Sequence, residues 1–108
     1  MPLYMTQFAY TPEAWAALLD SPEDRSAPVR EVVEAMGGRL IGWYLSMGDY
    51  DGLLIYEAPD DASAGAAVLV AASRGHLRAT KTTPLFSAEE GMKIMRRAGG
   101  TAFRGPGQ

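Results

Sequence analysis

The chain contains no cysteine. That excludes disulfide scaffolds, thiolate nucleophiles and cysteine-ligated zinc or iron–sulfur centres, and it permits a reducing cytoplasm. It contains one histidine, His76, and its carboxylates are scattered through loops without ligand spacing, so no metal is expected. No cofactor is expected either. A haem would need an axial histidine, and His76 falls at a strand end. No apolar run approaches the roughly eighteen residues of a membrane span. The opening "MPLYMTQFAY" has neither a basic stretch nor a long apolar stretch, so it does not read as a secretory signal. The expectation is a soluble, cytoplasmic protein. A net charge of −3 argues against nucleic acid as a partner. With 108 residues, 47% hydrophobic and 21% charged, the chain has ordinary globular composition and the size of one domain.

What charge there is lies unevenly. Acidic residues dominate up to Arg74. After it come Arg78, Lys81, Lys93, Arg96, Arg97 and Arg104 against Glu89 and Glu90. Solvated helix ends account for such a run. A basic rim that attracts an anionic small molecule accounts for it as well.

Periodicity divides the chain into alternating elements. Residues 3–9, "LYMTQFA", read as a strand. Thr11-Pro12 opens a helix with Trp15, Leu18 and Leu19 on one face. Ser21-Pro22-Glu23 repeats the start signal, and Pro28 predicts a broken or kinked continuation. Val29, Val32, Val33 and Met36 then form one buried stripe, closed by Gly37-Gly38. A second strand, 39–47, and a third, 53–58, flank the "GDYDG" break as an antiparallel hairpin. Asp60 and Asp61 can cap an alanine-rich helix over 62–73. Residues 76–84 alternate as a fourth strand, and Ser87-Ala88-Glu89-Glu90 fits a capping box opening a last helix through Arg97. The domain is expected over residues 1–98, with 99–108 a flexible glycine-rich tail.

The order β-α-β-β-α-β plus a terminal helix predicts an α+β, ferredoxin-like fold, four antiparallel strands with both crossover helices on one face. Strict alternation puts Ile41, Trp43, Leu45 and Met47 on one side of the second strand, with Leu40, Tyr44 and Ser46 on the other. The third strand is apolar on both sides. Helices cover one face only, so the other is an apolar patch of the kind that marks an interface, and a homo-oligomer joined through it is expected.

The stretch "YLSMGDYD", Tyr44 to Asp51, preceded by "MGGRLIGW" and followed by "EAPDD", resembles the GYD-domain family. Gly48, Tyr50 and Asp51 occupy its Gly-x-Tyr-Asp-like motif, and the likeness covers roughly residues 3–96. The resemblance implies a dimeric α/β-barrel in which two ferredoxin-like protomers stack their sheets as a homodimer. It implies no particular reaction, since relatives in the wider superfamily include cofactor-free monooxygenases, polyketide cyclases, muconolactone-type isomerases, haem enzymes and ligand-sensing modules.

Three residues are candidates for catalysis. Asp51 would accept or orient a proton, the Tyr50 hydroxyl would position a substrate oxygen, and His76 would serve as a general base near neutral pH. Turn chemistry is the favoured account of the first two, since Gly48 and Gly52 supply permissive backbone and aspartates bond to nearby amides. For His76 the favoured account is a surface or edge histidine after Gly75, since one unpartnered histidine defines no catalytic geometry. Trp43, Tyr44 and Arg78 are candidates for binding a flat organic ligand, against filling of core or interface. Ser46 has no triad partners and the glycines form no phosphate loop. Three functions stay open: a homo-oligomer binding a small organic ligand between sheet and helices, a cofactor-free enzyme on an aromatic or polyketide-like substrate, and an association module.

Overall fold

The computed structural model describes all 108 residues. Eight elements follow one another: β1 (Leu3–Tyr10), α1 (Pro12–Asp20), α2 (Ser26–Ala35), β2 (Arg39–Leu45), β3 (Gly52–Glu57), α3 (Asp61–Ala72), β4 (Leu77–Leu85) and α4 (Ala88–Gly99). The strands form one antiparallel sheet in the order β2-β3-β1-β4. This is the α+β ferredoxin-like arrangement with an added terminal helix.

Local chemistry sets the boundaries. The Thr11 hydroxyl accepts from the Ala14 amide at 3.1 Å, with Pro12 at the first helical position, where it forfeits no bond. The Asp60 carboxylate accepts from the Ser63 amide at 2.8 Å, and the Ser87–Glu90 capping box is formed in both directions. Gly37 ends α2 with φ +84°, a conformation that costs glycine little. The break in the first helical region falls at residues 21–25. Pro28 does not interrupt α2 but sits in its first turn, where amides lack intrahelical partners anyway.

The helix-facing side of the sheet is aromatic. Tyr4, Phe8 and Tyr10 of β1 and Leu54 and Tyr56 of β3 are buried there, with Val33 of α2 and Ala64 of α3 above them. Tyr4 and Tyr56 stack at 5.7 Å. Two irregularities correct strict alternation. Between Leu40 and Gly42 the β2–β3 register shifts, so Leu40 opposes Tyr56 and Trp43 opposes Leu54. Leu40 and Trp43 therefore share the helix side, and Ile41 is the extra residue of the bulge. A second shift, at Ala9/Tyr10, sets Leu77 opposite Tyr10 and leaves Arg78 outside the ladder.

The Tyr4 ring is buried, and its hydroxyl donates to Asp61 Oδ1 at 2.5 Å. That bond, with burial and the Asp61 charge, pushes the hydroxyl from 10.0 up to about 12. The folded chain thus binds a proton there more tightly than the unfolded chain does. The resulting stability is present in full below pH 10 and is lost as pH rises from 10 toward 12. Denaturation midpoints measured at stepwise alkaline pH should fall through this window, and Tyr4→Phe should flatten that part of the curve.

The opposite side of the sheet carries Leu3, Met5, Leu53, Ile55 and Tyr44 with no helix over it. Nor does α4 close back on the body. It has no buried residue, and Met92, Ile94 and Met95 stand exposed along it. The chain is accordingly long, 60 × 33 × 22 Å, with a radius of gyration of 17.5 Å. A compact chain of this length has about 13 Å. No helix is long and apolar enough to cross a membrane.

Candidate functional site

A cavity of about 330 Å³ lies between the sheet and the helices. Its floor is Thr6, Phe8 and Tyr10 of β1, Trp43 of β2, and Leu54 and Tyr56 of β3. Pro28, Val29, Val32 and Val33 of α2 and Ala67, Val68 and Ala71 of α3 line it from the helix layer. Arg25, Glu31, Arg74, His76 and Leu77 complete the wall. Protein interiors are ordinarily packed with few voids larger than a water molecule. This one stays open because short side chains on α2 and α3 face large rings that stack among themselves: Phe8 lies on Trp43 at 5.7 Å and 27°, and meets Tyr10 edge-on at 5.3 Å.

The polar groups of the wall are few. Thr6 Oγ1 lies 2.8 Å from the Tyr56 hydroxyl and 2.9 Å from Thr82 Oγ1, a short hydroxyl chain along the floor. Burial pushes the Tyr10 hydroxyl up from its ordinary range, and the Arg25 guanidinium beside it works the other way. Arg25 is held by Glu23 at 2.6 Å, whereas Arg74 makes no ion pair. Trp43 Nε1 is buried with no hydrogen-bond partner. Leaving such a donor unpaired costs about 1–3 kcal/mol, and native proteins rarely do so.

Of the residues picked out in the sequence, Trp43 and His76 line this cavity; Tyr44, Tyr50, Asp51 and Arg78 do not. Tyr44 lies on the open face of the sheet and is 58% exposed. Arg78 is exposed at the β4 bulge. Tyr50 is partly buried, and its carbonyl accepts from the Ser46 hydroxyl at 3.1 Å. Asp51 stands behind the cavity wall. Its Oδ2 accepts from the Tyr10 amide at 2.8 Å and from Trp15 Nε1 at 3.2 Å. Its amide donates to the Phe8 carbonyl at 2.8 Å, and its carbonyl accepts from the Ser46 amide at 2.9 Å. The loop aspartate thereby ties the β2–β3 hairpin to the end of β1 and the start of α1. Across the sheet, the Thr11 amide donates to the His76 carbonyl at 2.9 Å, which fixes His76 beside the same strand end. No three histidine, aspartate or glutamate side chains gather in a group that could hold a metal ion.

The family model of the GYD domain matches residues 4–95. The chain belongs to the GYD-domain family. Among solved structures, an uncharacterized NIPSNAP domain protein from Burkholderia xenovorans is similar at 15% identity, over 82% of this chain and 95% of that one, with a TM-score of 0.47. No curated protein matches the chain. In this GYD domain the Gly48-Asp49-Tyr50-Asp51 motif forms the hairpin loop whose last carboxylate holds β1 and α1 together.

Sequence reasoning passed over Thr6, Phe8, Tyr10, Arg25, Glu31 and Arg74. A signal for the first three was there. Tyr4, Thr6, Phe8 and Tyr10 alternate along β1, so the face of that strand with the most ring area could have been named as the floor. The two arginines sit in connections, which carry no periodicity.

Proposed function

We propose that this GYD domain is a homo-oligomer that binds a small organic molecule in the cavity between sheet and helices. The observation that carries the reading is the cavity itself, of about 330 Å³ and lined mainly by aromatic and aliphatic side chains with a few polar groups such as Thr6 and His76, within the size range of small-molecule sites. Oligomerisation is supported by two bare apolar surfaces, the open sheet face and the α4 stripe. Stacking two sheets face to face buries the first, and α4, projecting from the edge strand β4, would reach onto the partner.

Native mass spectrometry of the protein taken directly from expressing cells reports subunit count and retained small molecules together. A dimeric or larger mass with a reproducible adduct is the expected result. A monomer at ten-micromolar concentration would end the oligomer part of the reading. Placing a charge on the open face tests the interface without disturbing the core. Ile55→Asp points away from the helices, so it should give a folded monomer by sedimentation with unchanged far-UV dichroism.

A second reading rests on His76. It is the cavity-lining member of the three residues considered for catalysis, and a neutral imidazole there would take the proton-transfer role in cofactor-free chemistry. Tyr50 and Asp51 lie outside the cavity wall, and Asp51 would serve this reading only by holding the Tyr10 backbone in place. Loss of turnover in His76→Ala with ligand binding retained would favour this reading over simple binding, once a reaction is in hand.

A further inference from the structure

We infer, resting on the pocket reading above, that the molecule this cavity takes is a single-headed amphiphile. A hydrocarbon body of about twelve carbon atoms fills the interior, and its polar head stays at the mouth. Exposure divides the wall into those two parts. Phe8, Val33, Leu54, Tyr56 and Ala67 are buried. Arg25 is partly exposed, and Glu31, Arg74 and His76 are exposed. Every charged side chain of the wall, and its one histidine, thus reaches solvent. These four mark the mouth, and the interior is left without a charge.

The hydroxyls of the interior are engaged as well. Thr6 Oγ1 has the Tyr56 hydroxyl at 2.8 Å and Thr82 Oγ1 at 2.9 Å, and the Tyr10 hydroxyl lies beside the Arg25 guanidinium. Trp43 Nε1 is sealed within the fold, out of reach of anything in the cavity. A polar atom carried inward would shed its water and find each of these hydroxyls already partnered. Hydrocarbon sheds water with a gain, and thirteen of the nineteen lining residues are hydrophobic.

Volume sets the length of that body. An apolar cavity of about 150 Å³ takes one benzene, a body of six carbon atoms. At about 330 Å³ this cavity has roughly twice the room, hence about twelve carbons. A head group at the mouth keeps its water, so carbon count governs affinity.

The probes are straight-chain primary alcohols from hexan-1-ol to dodecan-1-ol, with decane-1,10-diol, titrated calorimetrically into the full chain. Affinity should climb about fourfold with each added methylene, the gain from burying one such group. The diol, which must carry one hydroxyl inward, should bind at least tenfold more weakly than decan-1-ol. Val68 lines the cavity from α3, and Val68→Phe places about four more carbons there. In that variant the climb should stop near octan-1-ol, with hexan-1-ol unchanged and dodecan-1-ol at least tenfold weaker. If Val68→Phe loses its far-UV dichroism, Ala71→Leu makes the same test with three added carbons, and the climb should stop near nine.

Equal affinity along the series, or a diol within threefold of decan-1-ol, overturns the amphiphile assignment and leaves the pocket reading standing. A folded variant that binds dodecan-1-ol as the parent does overturns it too, because the alcohol then sits elsewhere. Failure of every alcohol to bind, with an adduct still retained from cells, overturns the assignment alone. Failure of every alcohol with no retained adduct overturns the assignment and the pocket reading together.

Discussion

Replacing Asp51 by alanine should cost about 3 kcal/mol of folding stability, since a hydrogen bond to a charged group contributes roughly 1.5–3 kcal/mol and a stranded buried donor costs as much again. Both donors that Oδ2 accepts from are set by the fold. The Tyr10 amide lies beyond Gly52, where β3 begins, so no strand residue opposes it on that side, and Trp15 is fixed by edge-on contact with the Tyr10 ring at 5.1 Å. Asp51→Asn keeps an acceptor of the same shape and forfeits the charge, so it should cost about 1 kcal/mol. For a domain of this size, the alanine variant should melt about 12–20 °C lower. Urea unfolding of the three proteins side by side checks the order. Alanine and asparagine variants both within half a kcal/mol of the parent would show that the carboxylate does not lock the hairpin, and would return it to the candidates for chemistry.

The elements were readable because the signals that start and stop them are local. Thr11-Pro12, Gly37, Asp60 and Ser87–Glu90 act on amides within a turn of themselves, so their meaning survives without knowledge of the fold. The faces of the strands were less readable, and the reason is the pair of bulges. With Ile41 as the extra residue, Ile41 drops out of the expected set, and Trp43 and Leu45 share a face with Leu40 instead. With Arg78 outside the ladder, Leu77 and Thr80 oppose Tyr10 and Phe8 on one face although an odd number of positions separates them. One inserted residue inverts everything after it.

The cavity was less legible still. Its wall draws on all four strands, two helices and two connections, and it exists through the mismatch between rings on one layer and short side chains on the other. The alanine and glycine content of α3 read as close packing against the sheet; that is true at Ala64, which is buried, while Ala67, Val68 and Ala71 farther along border open space. The motif that stood out in the sequence is thus the support of the site, one residue behind Tyr10, and the cationic groups of the site lie in segments with no motif at all.

The tightest point of the molecule gives the other large effect. A Cβ placed on Gly38 would lie 2.1 Å from the Glu57 carbonyl oxygen and 3.1 Å from Val33 Cγ1. The nearer atom is backbone in β3, directly opposite Arg39, so no rotamer change relieves the contact. Relief requires β2 to move off β3 at the point where α2 hands the chain to the sheet, and Val33, buried beneath, resists the shift. Gly38→Ala should therefore cost about 3 kcal/mol, the upper end of what overpacking ordinarily exacts. Two other glycines separate this steric cause from backbone freedom. Gly48 has φ +128° and nothing within 4 Å, so Gly48→Ala should cost about 1–2 kcal/mol through conformation alone. Gly65 lies inside α3, also in open space, and Gly65→Ala should stabilise by up to about 1 kcal/mol through helix propensity. Denaturant midpoints in the order Gly65→Ala, parent, Gly48→Ala, Gly38→Ala are expected. If Gly38→Ala falls no further than Gly48→Ala, the approach of β2 to β3 has slack. The Leu40–Trp43 face would then be free to shift over the cavity.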